Sequence, residues 1–125
     1  MPQFVILEHH HEGIHWDFML ESGPVLRTWR LATRPDGAYP IVATELPGHR
    51  RKYLHYEGDI SGGRGSVTRW DWGEFDWISV EPASVEVRIE GRRLAGRVYL
   101  LRDDSGGWTF RVTPSEEESA ESAVR

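Results

Sequence analysis

The sequence predicts an all-β fold, a small closed or nearly closed β-barrel of about eight strands. Short runs rich in β-branched and aromatic residues alternate with Gly, Pro or Asp breaks between residues 4 and 113. No long stretch repeats apolar residues at the period of about 3.6 that marks an amphipathic helix. So many short strands would leave exposed edges in an open sheet, and closure removes those edges. A β-sandwich is the alternative architecture.

The first three strands are predicted where apolar residues run or alternate between breaks. Phe4–Glu8 begins with the apolar run FVIL and ends at a histidine-rich segment. Ile14–Glu21 alternates apolar and polar residues, which is the pattern of a strand with one buried face. A Gly-Pro pair separates it from Val25–Ala32. The three prolines of Arg34–Pro47 then predict an irregular loop across one end of the barrel.

The remaining strands are separated by glycine-rich or polar turns. They are predicted at Tyr53–Gly58, Ser66–Trp72, Ser84–Glu90, Leu94–Arg102 and Trp108–Thr113. The glycines at positions 62, 63 and 65 predict a flexible turn before the second of these strands. Ser105–Gly107 predicts the hairpin loop before the last strand.

Length and composition predict one domain, residues 1–113, followed by a flexible acidic tail, residues 114–125. A chain of 125 residues favours one core over two, because each separate core must bury enough surface to offset its own chain entropy. The tail, PSEEESAESAVR, has four Glu, one Arg and no aromatic residue, so it has too little apolar surface to order itself. The tail thus holds −3 of the formal charge of −5, and basic segments such as His49–Lys52 are compatible with phosphate contact.

The sequence excludes several kinds of site and location. Without cysteine there is no disulfide and no thiolate ligand, so a metal must be held by His, Asp or Glu. No apolar run approaches the roughly 20 residues of a transmembrane helix. Met1–Glu8 lacks the basic region and cleavage site of a secretory signal. We therefore expect a cytoplasmic protein without a membrane partner.

The segment Ile14–Glu21, IHWDFMLE, carries a metal-binding pattern. Side chains alternate across a strand, so its apolar set is predicted to face the core, and His15 and Asp17 the other side. This places an imidazole and a carboxylate about 6.6 Å apart, measured between Cα atoms, pointing the same way. One histidine of the run Glu8–Glu12 completes a site of two histidines and one carboxylate, which accepts manganese, zinc or iron. The alternative is that these residues are polar groups on a solvated face.

A second candidate site lies at Gly48–Tyr53, the sequence GHRRKY. His49 is placed to donate a hydrogen bond or a proton, and Tyr53 to contact an anionic substrate from the start of the next strand. The basic residues between them are candidates for substrate binding: Arg50, Arg51 and Lys52. The alternative is a solvated basic loop followed by a strand tyrosine.

The chain also contains six tryptophans. Stacking on nucleic-acid bases is one role for such rings. Filling the interior of a small barrel is favoured, because each ring buries a large apolar area. Strict alternation places Trp70 and Trp72 on one face of their strand.

The order of these motifs resembles a known family, the 3′-phosphoesterase domain of bacterial and archaeal DNA ligase D. The run Phe4–Trp29 resembles the start of that domain, which reads approximately F-V-x-x-x-H-x-x-x-x-x-H-Y-D-F-R-L-E and continues with G-x-L-x-S-W. Gly48–Tyr53 is similar to the family's D-H-P-x-x-Y, and Tyr56–Gly58 to its F-E-G. Ile60–Gly73 is similar to its I-P-x-G-x-Y-G-x-G-x-V-x-x-W-D-x-G, and Gly91–Arg102 to its closing hairpin. The resemblance covers nearly the whole predicted domain.

The resemblance implies a compact β-barrel that binds Mn²⁺ or Zn²⁺ and removes a 3′-terminal ribonucleoside, and then the remaining 3′-phosphate, from nucleic acid. The family's metal ligands match three residues of this chain, His9, His15 and Asp17. Among the three adjacent histidines, only His9 keeps the family's spacing of six residues to His15. The family's phosphate-contacting histidine and tyrosine match His49 and Tyr53, which are the expected catalytic residues. The implied partners are nucleic-acid 3′ ends and a separately encoded DNA ligase or polymerase.

The chain departs from the family at its arginines. Met19 replaces the arginine of the second strand, and a further family arginine falls near Ile41, where no basic residue is present. The family's Arg-Asp pair upstream of the first strand has no counterpart in the printed sequence. Arginines stabilise charge on a transferring phosphoryl group, so their loss is expected to cost several kcal/mol of transition-state stabilisation. Three nearby arginines are candidates to substitute: Arg27, Arg30 and Arg34.

Two functions are therefore predicted. The first is a metal-dependent phosphoesterase that removes a 3′-phosphate or 3′-ribonucleotide from nucleic acid. The alternative is a catalytically divergent barrel that binds metal or nucleic acid without phosphoesterase activity. The retained metal and phosphate residues favour the enzyme, and the missing arginines favour the binding module.

Overall fold

The computed structural model describes residues 1–114, which form nine β-strands and one short 3₁₀ helix. The strands are β1 Gln3–His10, β2 Ile14–Ser22, β3 Val25–Leu31, β4 Ile41–Arg50, β5 Gly58–Asp59, β6 Ser66–Glu81, β7 Ser84–Gly91, β8 Ala95–Arg102 and β9 Trp108–Pro114. The 3₁₀ helix, Arg51–Leu54, lies between β4 and β5.

A closed ring of eight strands is the main feature of the architecture. Neighbours in the antiparallel sheet follow the order β1, β2, β3, β4, β9, β8, β7, β6, and β1 also pairs with β6, which closes the ring. The two-residue strand β5 pairs with the start of β6. The prediction of an all-β, closed or nearly closed barrel of about eight strands is confirmed.

The interior of the ring holds the larger of two apolar clusters. It contains Phe18 and Leu20, as the alternation along β2 predicts. Three of the tryptophans are buried in it, Trp29, Trp70 and Trp108. Filling the core is therefore the role of these three indoles.

A second apolar cluster, the outer cluster, lies on the opposite face of β1, β2 and the first half of β6. Its buried members are Val5, Leu7, Met19, Leu26, Leu54 and Val67. Tyr53, Tyr56 and Ile60 of the segment that follows β4 pack against it. The face of β2 that bears Asp17 is thus covered in part by protein, and Asp17 itself is buried.

A β-bulge at Trp70 changes which residues of β6 face inward. Two successive residues of β1 pair with Asp71 and Arg69, so Trp70 has no Cα partner on β1. The extra residue inverts the alternation of side chains. Trp70 lies in the interior cluster, whereas Trp72 packs against the outer cluster. The expectation that both indoles share one face is wrong for this reason.

Strand β4 lies where the prolines predict an irregular loop. Ile41 and Ala43 are buried while Val42 and Thr44 are exposed, which is the alternation of a half-buried strand. Pro47 is tolerated because it lies at a register shift between β3 and β4, where a missing amide hydrogen does not break the ladder.

Two other element boundaries also differ from the prediction. The strand predicted at Tyr53–Gly58 is replaced by the 3₁₀ helix and a turn. Its tyrosines suggested a strand, but their rings pack on the outer cluster from a helical turn. The strand predicted at Ser66–Trp72 extends to Glu81.

The predicted tail begins at the last residue of β9. Pro114 pairs with Gly96 of β8 and so belongs to the sheet. The rest of that segment, residues 115–125, lies outside the described residues. Within the part of the chain that the structure describes, no helix is both long and apolar enough to cross a membrane.

Candidate metal centre

The β1–β2 hairpin brings His9 and His15 face to face. The two residues are opposed Cα partners on adjacent antiparallel strands, so their side chains lie on the same face. The turn between the strands contains Glu12 at φ 51° and Gly13 at φ 112°. The His11 amide donates to the Gly13 carbonyl at 2.9 Å. This tight turn sets the register that opposes the two histidines.

Three possible ligand atoms converge in front of this hairpin. The Nδ1 atom of His9 and the Nε2 atom of His15 are 2.8 Å apart. The Oδ2 atom of Asp17 is 3.9 Å from the His9 nitrogen and 3.8 Å from the His15 nitrogen. Around an ion with ligand distances of about 2.0–2.2 Å, two ligand atoms are at most about 4.4 Å apart. The triangle therefore has the size that one divalent ion requires.

The main chain of Arg64 fixes which nitrogen of His9 faces the triangle. The Nε2 atom of His9 is 2.8 Å from the Arg64 carbonyl oxygen. Because a carbonyl only accepts, Nε2 carries the hydrogen and Nδ1 keeps the lone pair that a metal ligand needs. At the φ of +78° of Gly65, a Cβ atom would lie 1.9 Å from the His10 carbonyl oxygen. Glycine at this position lets the loop pass close enough to β1 to hold His9.

Burial favours the neutral form of His15, which is the form that binds metals. It lowers the pKa of this imidazole, the Asp17 carboxylate opposes the shift, and the positive charge of Arg30 adds to it. Arg30 lies opposite Asp17 on β3, and its Nε atom donates to Oδ1 at 3.3 Å. The guanidinium thus holds one carboxylate oxygen and leaves Oδ2 directed at the histidines.

The residues present fit Mn²⁺ or Zn²⁺. Among the described residues, His9, His15 and Asp17 form a group whose ligand atoms all lie within 4.8 Å of one another. Two imidazoles and one carboxylate suit either ion, and they leave coordination positions for water or substrate.

A cavity of about 240 Å³ lies beside the triangle and next to the 3₁₀ helix. Its walls combine apolar residues of the outer cluster with side chains that carry or can acquire positive charge. The latter are His11, Arg30, His49 and Arg64. A bound phosphate would have such groups around it, which favours an anionic ligand.

His49 and Tyr53 both line this cavity, on either side of the bend from β4 into the 3₁₀ helix. Their rings meet edge to face with centroids 6.1 Å apart. The Nδ1 atom of His49 is 2.9 Å from the Pro47 carbonyl oxygen. Nδ1 is therefore the donor, which leaves Nε2 as the nitrogen that can exchange a proton with a ligand.

The three basic residues predicted to bind substrate do not line the cavity. Arg51 forms an ion pair with Glu21 and donates to the Gly23 carbonyl at 2.9 Å, at the β2–β3 turn. Lys52 extends over two tyrosine rings, with its ammonium nitrogen 5.2 Å from each centroid. Arg50 ends β4 with an exposed side chain. Their role in substrate binding stays a prediction.

Of the three arginines considered as substitutes, Arg30 reaches the cavity. Arg27 pairs with Glu45 at 2.7 Å, and Arg34 pairs with Asp36 at 2.6 Å. The sequence feature that distinguishes Arg30 from Arg27 and Arg34 is the length of the turn before β3. A two-residue turn between β2 and β3 fixes the register, and that register opposes Arg30 to the metal-site aspartate.

Sequence reasoning missed Arg64, which a loop that follows β5 brings to the cavity from far along the chain, with its guanidinium donating to the Ser61 carbonyl at 2.7 Å. No local pattern indicates such a contact. The two positions that lack the family's arginines are filled by packing instead: Met19 is 1% exposed in the outer cluster and Ile41 is 2% exposed in the interior.

Comparison with known proteins identifies the family of this chain. Residues 7–102 match the family model described as the DNA ligase D 3′-phosphoesterase domain. The chain is 33% identical over 114 residues to the multifunctional non-homologous end joining protein LigD of Mycobacterium bovis, and the match covers 84% of this chain and 15% of that protein. LigD of Pseudomonas aeruginosa is 27% identical over 115 residues, with 84% of this chain and 14% of that protein covered. The chain thus spans about one seventh of the length of these relatives, and it belongs to the family of DNA ligase D 3′-phosphoesterase domains.

Proposed function

We propose that this domain is a metal-dependent phosphoesterase that removes a 3′-phosphate or a 3′-ribonucleotide from nucleic acid, with Mn²⁺ or Zn²⁺ held by His9, His15 and Asp17. The observation that carries the proposal is the meeting of this ligand triangle with a cavity lined by cationic side chains. Membership of the 3′-phosphoesterase family supports the same class of reaction. The names of the relatives, non-homologous end joining proteins, support a role at DNA ends.

The chain's own contribution is to bind the phosphate and neutralise its charge. A divalent ion at the triangle supplies Lewis acidity, which polarises a phosphoryl oxygen and lowers the pKa of a bound water. Arg30 and Arg64 reach the cavity from β3 and from the loop that follows β5. A guanidinium donates paired hydrogen bonds to phosphate oxygens. These two side chains supply the charge that Met19 lacks.

Proton transfer to the leaving group is the proposed role of His49. Hydrolysis joins a water oxygen to phosphorus and breaks the ester bond, so the ester oxygen leaves with the bonding electron pair and needs a proton. Protonated His49 gives this proton from Nε2 while Nδ1 stays bonded to the Pro47 carbonyl. The proton that the water loses passes to solvent. Tyr53 donates its hydroxyl hydrogen to a phosphate oxygen at the same wall.

The product of this reaction defines the partner. Removal of a 3′-phosphate leaves a 3′-hydroxyl, which a polymerase extends and a ligase joins. We therefore extend the proposal to a DNA ligase or polymerase acting on the processed end, in keeping with relatives whose name describes them as multifunctional.

The test is an assay of the purified chain on a 5′-labelled primer that ends in a 3′-phosphate or in a single 3′-ribonucleotide, with Mn²⁺, Zn²⁺ or Co²⁺ added. We expect conversion to a 3′-hydroxyl end, and loss of both metal content and conversion in His15→Ala. His10→Ala is the matched control, because that adjacent side chain hydrogen-bonds Glu8 outside the triangle. No conversion with any of the three ions would overturn the enzymatic proposal.

The alternative function is a barrel that binds metal or nucleic acid without hydrolysis. The buried Met19 favours it, because this position carries no charge next to the ligand triangle. Metal content that depends on His15, together with binding of the primer and no conversion, would support this alternative.

A further inference from the structure

A second polar depression, here called the arginine groove, lies next to the 3₁₀ helix. Its volume is about 360 Å³, and its walls include Leu54, His55, Arg69, Trp72 and Arg92. None of these residues lines the metal cavity. The proposed function leaves the groove without a role.

Two guanidinium groups in the groove pack on one indole ring. The Cζ atom of Arg69 is 4.1 Å from the centroid of Trp72, and that of Arg92 is 4.5 Å from it. The bulge at Trp70 makes this possible, because it brings Arg69 and Trp72 to the same face of β6. Cation–π contact holds both groups in place without neutralising their charge.

Neither guanidinium is neutralised by a close carboxylate. Among the described residues, no ion pair within 4.0 Å involves Arg69 or Arg92. The Nε atom of Arg69 is buried and has no hydrogen-bond partner, and burial lowers the pKa of this group. The Glu57 carboxylate accepts the backbone amide of Arg69 at 2.7 Å, and its charge opposes the lowering of the Arg69 pKa, so it offsets part of the guanidinium charge without forming an ion pair. Glu74 lines the groove with an exposed side chain.

A buried carboxylate fixes the backbone that carries Arg92. Asp71 is fully buried and accepts the amide hydrogens of Arg92, Arg93 and Leu94 at 2.7, 3.1 and 2.9 Å. Gly91 is required at the start of this turn, because a Cβ atom there would lie 2.3 Å from Oδ2 of Asp71. The groove is thus preorganised, since its exposed arginine extends from a turn that the core holds.

The groove and the metal cavity flank the same short segment of chain. Tyr53 lines the cavity, and the next two residues line the groove. Lys52, on the same 3₁₀ helix, is exposed and extends over the rings of Tyr53 and Tyr56. Along β6, Val67 lines the cavity and Arg69 lines the groove, about 6.6 Å further on. The metal cavity and the arginine groove therefore lie side by side, because neighbouring residues of the 3₁₀ helix and of β6 line them.

We infer that the arginine groove is a second nucleic-acid site, which binds backbone phosphates of the strand whose 3′ end enters the metal cavity. One Arg92 N–H donates to the Trp72 carbonyl at 3.3 Å. Phosphate oxygens can accept from the other N–H groups of the two arginines, and such contacts fix the position of a strand without reading its sequence. The link to the 3′ end rests on the proposed function, whereas phosphate binding by the groove does not. The inferred substrate is thus a polynucleotide rather than a mononucleotide.

The binding test uses the full chain with EDTA, so it does not depend on activity. Fluorescence anisotropy measures the Kd of a labelled single-stranded oligonucleotide at several NaCl concentrations. We expect Arg92→Gln and Arg69→Gln each to raise the Kd about tenfold at low salt. Each should also reduce the slope of log K against log salt by about 0.7 for every phosphate that the variant no longer binds. The control is Arg111→Gln, which removes the same charge from an exposed side chain of β9, on the opposite side of the ring.

Two results would overturn the inference. One is an unchanged Kd and salt slope in Arg92→Gln, whose exposed side chain can be replaced without disturbing the core even if Arg69→Gln fails to fold. The other is an equal rise of the Kd in Arg111→Gln, which would assign the effect to net charge alone. In the metal-loaded enzyme, Arg92→Gln should raise KM for a 3′-phosphorylated oligonucleotide and leave kcat/KM for a nucleoside 3′-monophosphate unchanged. If Arg92→Gln is active and its KM for the oligonucleotide is unaltered, the groove does not bind the substrate strand, and the proposed function still stands.

Discussion

His9 and His15 lie opposite each other on β1 and β2, with the Nδ1 atom of one 2.8 Å from the Nε2 atom of the other. Two imidazole nitrogens at this distance share one hydrogen or one metal ion. Because the Nε2–H group of His9 donates to the Arg64 carbonyl, its Nδ1 atom carries a lone pair, which is directed at the Nε2 atom of His15. An ion there would replace the single hydrogen bond by two coordination bonds and add Asp17 as a third ligand.

The first prediction is that a divalent ion stabilises the fold. At an ion concentration of about 100 times the Kd, binding adds about 2.7 kcal/mol to the free energy of unfolding, which raises Tm by about 10 °C in a domain of this size. Thermal melts with Mn²⁺ or Zn²⁺ and with EDTA measure the shift. Asp17→Ala should lose the shift and His10→Ala should keep it. An equal shift in Asp17→Ala would show that the ion binds elsewhere.

The second prediction concerns the guanidinium of Arg30. We expect Arg30→Gln to lower kcat/KM for 3′-phosphate removal by about 10²-fold, because the cavity wall then lacks a donor to the phosphoryl charge. Arg27→Gln is the matched control, since Arg27 lies on the other face of β3, where it pairs with Glu45 and stacks on Trp29. The contact of Arg30 with Asp17 could also affect metal binding. Metal affinity, measured from Tm at increasing ion concentration, separates this effect from the role of Arg30 in binding phosphate. Equal activity in the two variants would assign the phosphate to other residues.

Strand alternation predicts that His15 and Asp17 share a face, and the family's spacing selects His9 among the three adjacent histidines. The structure shows that turn length then determines which residues face each other. The Gly13 turn opposes His9 to His15, and the turn after Ser22 opposes Asp17 to Arg30. Each of these relationships spans one hairpin. Alternation also predicted the interior positions of Phe18 and Leu20, whereas Ile14, at the start of β2 next to the turn, is 50% exposed.

Contacts that depend on irregular backbone were not predictable in this way. One extra residue at Trp70 inverts the alternation of β6, and a single bulge leaves no clear mark in the sequence. Pro47 suggested a loop although β4 accommodates it at a register shift. The contact of Arg64 with His9 depends on the path of a loop between two distant strands.

The third prediction is that His49 acts in catalysis and not in metal binding. We expect His49→Ala to lower kcat by about 10²-fold, since a group that transfers a proton in the transition state is removed. The Tm shift on metal addition should stay as in the unaltered chain, because His49 lies outside the ligand triangle. Loss of that shift would make His49 a further ligand, and unchanged kcat would remove it from the mechanism.

The fourth prediction is that restoring the family's arginine at Met19 destabilises the fold. Met19 is 1% exposed and packs among apolar side chains of the outer cluster. We expect Met19→Arg to lower the free energy of unfolding by about 3 kcal/mol, because a guanidinium at this wall of the cavity would lose hydration to the apolar side chains around it. Met19→Leu conserves volume and should cost less than about 1.5 kcal/mol. Urea denaturation measures both values. Equal stability of the two variants would mean that an arginine here reaches the open cavity.

The last prediction tests how the loop before β6 holds the metal site. Gly63 and Gly65 both have positive φ, +68° and +78°, but a Cβ atom meets nothing within 4 Å at the first and lies 1.9 Å from the His10 carbonyl oxygen at the second. Alanine at either position therefore introduces similar backbone strain, about 1 kcal/mol. Gly65→Ala must in addition push the loop away from β1, which separates the Arg64 carbonyl from His9 and frees that imidazole to take the wrong tautomer. We expect metal affinity to fall at least tenfold in Gly65→Ala, as is typical when a group that orients a ligand is removed, and to stay unchanged in Gly63→Ala. Isothermal titration with Mn²⁺ compares the two, and equal affinities would show that the Arg64 carbonyl does not control the orientation of His9.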